Sequence, residues 1–82
     1  MKVQRYRPAY FSGFEDDEAE ADTQAELLAI PWVASWADIP GFDQFSVADG
    51  LLMADLNATK GHKWYVVARV EGDYGLPVWG RP

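Results

Sequence analysis

At 82 residues, with 49% hydrophobic and 15% aromatic side chains, the chain is too apolar for a disordered acidic protein and too short for more than one domain. Seven Lys and Arg stand against thirteen Asp and Glu, a formal net charge of −6, so direct nucleic-acid binding lacks the clustered bases that phosphate contacts need. Cysteine is absent, which excludes disulfides, thiolate metal sites and thiol nucleophiles. No run approaches the ~20 apolar residues of a membrane span, and no apolar stretch follows Met1-Lys2-Val3-Gln4-Arg5 as it would in an export signal. A cytoplasmic protein without membrane contact is the expectation.

The first fourteen residues are basic and aromatic: Lys2, Arg5 and Arg7 are interspersed with Val3, Tyr6, Tyr10, Phe11 and Phe14. Val3 to Tyr6 suits a short strand, but Pro8 cannot donate to a ladder, which makes an edge strand or extended arm of this segment. Between Arg7 and Lys60 there is no base, and seven of the thirteen carboxylates fall in Glu15–Glu26. Within that run, like charges repel and the alanines bury little, so residues 15–22 are expected to form a mobile, solvated loop.

Thr23-Gln24-Ala25-Glu26 is a capping box ahead of Leu27, Leu28 and Ile30, and predicts a helix start. Pro31 then removes an amide, so the helix ends and a second one restarts with Pro31 as its first residue, closing near Asp38-Ile39-Pro40-Gly41. From Phe42 the period changes to two. Phe45 and Val47, then Leu52, Ala54 and Leu56, then Trp64, Val66, Ala68 and Val70 mark three strands joined by hairpin turns at Ala48-Asp49-Gly50 and Asn57 to His62. Leu76-Pro77-Val78-Trp79 suits a short last edge strand. The fold class expected is α+β, with one or two short helices packed on an antiparallel sheet of three to four strands and a largely aromatic core.

Chemistry is sparse. His62, the single histidine, falls in a hairpin loop with no serine at nucleophile-elbow spacing and reads as an exposed loop residue. Asp16, Asp17 and Glu20 lack the spacing of a Ca²⁺ loop, the seven glycines form no phosphate cradle, and an aromatic-filled domain leaves little room for a cleft of ~300 Å³. Asp55 and Glu71 sit among apolar strand residues, where a solvent-facing role is the commoner one. The expectation is no enzyme, no metal and no cofactor.

The segments RPAYFSGFE, AELLAIPWVASW, LLMADL, KWYVVARV and LPVW together resemble small uncharacterised proteins of bacteriophages and prophages, most clearly at Ile30-Pro31-Trp32-Val33 and Lys63–Val67. The acid-rich insert is longer here than in that pattern. The resemblance implies a mobile-element setting and expression in the cytoplasm of a bacterial host. The expected function is a non-enzymatic acidic protein that binds a basic host protein, in its concrete form an inhibitor occupying a nucleic-acid-binding surface. Its contact residues would be Phe11, Phe14, Glu15, Asp16, Asp17, Glu18, Glu20 and Asp22. The alternative is a structural or assembly subunit that self-associates through a sheet edge and an aromatic surface, with the acids solubilising it.

Overall fold

The computed structural model describes residues 1–7, 13–72, 74, 78 and 79, and of residues 7, 13–17, 58, 78 and 79 the backbone alone. Strand β1 (Lys2–Arg7) pairs antiparallel with β2 (Gly13–Glu20), and Lys2 of the first strand meets acids of the second. Lys2 lies opposite Glu20 and Gln4 opposite Glu18, while Lys2 Nζ reaches Glu18 Oε1 at 3.8 Å. Opposite charges facing each other across strands contribute roughly 0.2–1 kcal/mol per pair. Ala19 and Ala21 turn toward the core, and the Ala21 amide donates to the Met1 carbonyl at 2.9 Å. The loop expected over 15–22 is therefore a paired strand as far as Glu20, its backbone taken up by the ladder with β1 and its end met by Lys2 and the Met1 ammonium.

Thr23 caps helix α1 (Gln24–Ala29): its hydroxyl accepts from the Glu26 amide at 3.1 Å, and Glu26 Oε1 accepts from the Thr23 amide at 3.1 Å. Helix α2 (Pro31–Ala34) begins on Pro31, where a missing amide leaves no bond unmade, and a 3-10 turn over Ser35–Asp38 completes the helical segment. The chain then runs as a meander through β3 (Phe42–Ala48), β4 (Leu51–Leu56) and β5 (Lys63–Val70), followed by the two-residue β6 (Val78–Trp79). All pairings are antiparallel, in the order β2-β1-β5-β4-β3-β6. The architecture is α+β. Its sheet has five strands of six to eight residues plus the short β6, more than the three to four expected, chiefly because the acidic run adds a full strand.

Three register shifts interrupt the ladders, one of them between β1 and β2, and the two within the β3–β4–β5 meander set which of its side chains share a face. Phe42 lies opposite Leu56 and Gln44 opposite Asp55, which leaves Asp43 as the extra residue of β3; Leu52 lies opposite Ala68 and Met53 opposite Val66, which leaves Val67 as the extra residue of β5. The inner face carries Val3, Phe45, Leu52, Ala54, Val67 and Ala68 against Leu27, Ile30 and Val33 of the helices. The core is aromatic only in part: Phe42, Phe45 and Tyr74 are buried in it, and the side chains most completely enclosed are aliphatic, Leu27, Leu52, Val3, Val33 and Val67. Trp32 and Trp36 only lean on this core, and Trp64 and Tyr65 are exposed. The Phe42 and Phe45 rings pack against each other with centroids 4.8 Å apart inside the core, whereas the tryptophans of the helical segment and of β5 lie at its rim.

Tyr74 closes the core beside β2. Its hydroxyl donates to the Ala21 carbonyl at 2.7 Å, and burial, reinforced by Asp22, Glu71, Glu20 and Glu26, raises its pKa above the ordinary 10.0. The stability this group contributes is complete below the unfolded value and is lost as pH rises through the raised folded value. Tyr74→Phe is expected to remove that alkaline loss, which urea denaturation of both proteins at about pH 9 and about pH 11 would register.

Candidate functional site

The helices cover one face of the sheet, and the residues of interest lie on the other. Strand register places Leu51, Met53 and Asp55 of β4 beside Arg69, Val66 and Trp64 of β5. The apolar members Leu51, Met53 and Val66, with Tyr6, are half-buried, and Trp64 is 42% exposed. A groove of about 570 Å³ runs over this face, lined by Tyr6, Asp49, Gly50, Leu51, Val66, Arg69 and Val70. That is more than the ~300 Å³ of a ligand cleft, for which so small a domain was expected to have little room. The groove is formed on the sheet surface, so the filled core does not limit it.

At one end of this face lies a polar cluster. The β4–β5 connection turns through Asn57 (φ 59°) and Gly61 (φ 89°), both left-handed, and so returns His62 to the end of β4. His62 Nδ1–H donates to Asp55 Oδ2 at 2.5 Å, and Gln44 Nε2 donates to the same oxygen at 3.3 Å. Asp55 is 0% exposed, and its Oδ1 has no hydrogen-bond partner among the described residues. The solvent-facing position expected of Asp55 is thus corrected: the bulge and the returning loop close over it. The Asp43 carboxylate joins the cluster from the β3 bulge, and the Trp64 ring stacks on His62, with centroids 6.5 Å apart and planes at 20°. His62 is indeed solvent-accessible, but it is also the partner of a buried acid. The available signal in the sequence was Asp55, a charged residue in an otherwise apolar strand; Asp43 and Gln44 gave none.

At the opposite edge stands the acidic strand. β2 begins the strand order, so its outer side has no strand partner among the described residues. Of the expected contact residues, Phe11 lies outside the described residues; Phe14, Glu15, Asp16 and Asp17 have backbone positions within β2. Glu18, Glu20 and Asp22 are exposed. Each meets a cation: Lys2 approaches Glu18, and the Met1 ammonium contacts Glu20 at 3.2 Å and also Asp22. The hydrogen bond that the ammonium donates to Asp22 is the main cause of its raised pKa, with Glu20 adding to it. Exposed pairs of this kind contribute about 0–1 kcal/mol each. Glu71 sits on the same side, its carboxylate accepting from the Lys2 amide at 2.8 Å.

Comparison with protein-family models, with curated proteins and with solved structures found no match to this chain. Among the described residues, no helix is long and apolar enough to cross a membrane.

Proposed function

We propose that the protein is a non-enzymatic binding protein that takes up a basic protein partner along the acidic edge of its sheet. The observation that supports this reading is that the densest carboxylate run in the chain is also the outermost strand. An outermost strand offers unpaired backbone donors and acceptors to an extended segment, and a cationic segment gains the charge attraction as well. Attraction between opposite surface charges speeds encounter more than it deepens affinity, so the interaction is strongly salt-dependent. Its concrete form, in keeping with the phage-like pattern of the sequence, is occupation of a host protein surface that otherwise holds nucleic acid, with carboxylates standing in for phosphates.

Changing Glu15, Asp16, Asp17 and Glu18 together to their amides is expected to lower capture of a basic partner from host lysate by ~10-fold or more at low salt. The fold is expected to persist, which circular dichroism of the variant checks. Equal capture by the two proteins would refute the reading. A second reading, self-association through the uncovered sheet face, is favoured by the exposure of Trp64 beside the half-buried Met53 and Val66. Sedimentation separates the two: an oligomer that survives high salt supports self-association, and a monomer supports the electrostatic partner.

A further inference from the structure

We infer that Asp43, Asp55 and His62 form a binding site for a divalent transition cation of the zinc or manganese type. One ligand atom from each residue lies within 4.8 Å of the others. The three residues come from separate parts of the fold: the bulge of β3, the end of β4 and the loop entering β5. Such convergence needs the folded sheet and does not arise from a local run of acids.

A second observation points to a cation independently. Asp55 is completely buried, yet both of its donors, Gln44 and His62, act on Oδ2, while Oδ1 has no partner among the described residues. Buried carboxylate oxygens without a donor are rare because the lost hydration is not replaced. A positive ion beside Asp55 replaces it.

The donor set narrows the class. Ca²⁺ and Mg²⁺ favour all-oxygen shells, whereas an imidazole nitrogen beside two carboxylates suits Zn²⁺ or Mn²⁺. Bonds of ~2.0–2.2 Å place tetrahedral ligand atoms roughly 3.3–3.6 Å apart, so the more distant atoms must draw in by at most about 1.5 Å, while His62 Nδ1 and Asp55 Oδ2, 2.5 Å apart across a proton, open as the ion takes that proton's place. Half-buried Asp43 and exposed His62 have the rotational freedom to do this, while the Gln44 donation to Oδ2 helps hold the Asp55 carboxylate in orientation. Exposure of His62 leaves a coordination position for water or for a group from a partner. The site is separate from the acidic edge strand and stands or falls without it.

The test is calorimetric titration of the full chain with Zn²⁺, Mn²⁺ and Ca²⁺, alongside fluorescence of Trp64, which stacks on His62. The expected result is one Zn²⁺ or Mn²⁺ per chain, a change in tryptophan emission, and Ca²⁺ binding weaker by ~10-fold or more. Asp43→Asn and His62→Gln should each weaken the transition ion by ~10-fold or more, with near-ultraviolet circular dichroism confirming the fold. If His62→Gln fails to fold, Asp43→Asn carries the same test. Absence of saturable binding, or an affinity unchanged in a folded variant, would overturn the proposal, because the ion would then sit on other carboxylates or nowhere.

Discussion

Alanine in place of Leu52 is expected to lower the unfolding free energy by about 2–5 kcal/mol, most or all of the stability of a domain this size. Leu52 is 0% exposed, sits on the fourth strand in sheet order and contributes to the core beneath both helices. Removal of its isobutyl group leaves a void that β4 cannot fill, because Ala54 and Ala68 on either side are already small. Urea denaturation followed by circular dichroism gives the value from the midpoint at constant slope. A loss under about 1 kcal/mol would mean that the site collapses freely and that the inner face is not closely packed.

The second large effect belongs to His62. His62→Ala removes the shorter of the two hydrogen bonds to Asp55 and leaves a buried carboxylate with Gln44 alone. Uncompensated buried groups of this kind cost about 1–3 kcal/mol, and the exposure of His62 keeps the figure below that of a fully enclosed ion pair. The loss should shrink to a few tenths of a kcal/mol when Asp55 is already Asn, since no charge then remains to be stranded. A double-mutant cycle measures this directly. Equal costs of His62→Ala in the two backgrounds would show that His62 acts through packing, for instance on Trp64, and not through Asp55.

What could be read from the sequence divides along physical lines. The capping box at Thr23, the restart at Pro31 and the left-handed Asn57 and Gly61 are encoded in a few neighbouring residues, and the structure has all of them. The period-two alternation was equally legible in β4 and in Phe45 and Val47 of β3, since one buried face imposes it, but in β5 the bulge at Val67 breaks it, so Trp64 and Val66 lie on the uncovered face and Val67 and Ala68 are both in the core. The acidic run was not. Its strand depends on the basic β1 lying alongside, a pairing that local propensity does not contain, although the separation of bases and acids on either side of Pro8 was visible in the chain. The polar cluster depends on two register shifts, at Asp43 and at Val67, and a bulge is a property of two strands together. Asp55 therefore looked like an outward residue in a regular alternation, when the bulge and the His62 loop bury it. The aromatic residues misled for a different reason: ring size predicts large buried area, but Trp64 and Tyr65 remain about 40% exposed on the sheet.

The role assigned to the acidic edge is tested most directly by amide chemical-shift mapping of the isotope-labelled protein, titrated with a peptide of alternating lysine and valine. The expected result is perturbation concentrated at residues 13–22, with affinity falling ~10-fold or more between about 50 mM and about 200 mM salt. Shifts confined to other strands, or an affinity at 13–22 indifferent to salt, would contradict recognition of a cationic partner at this edge.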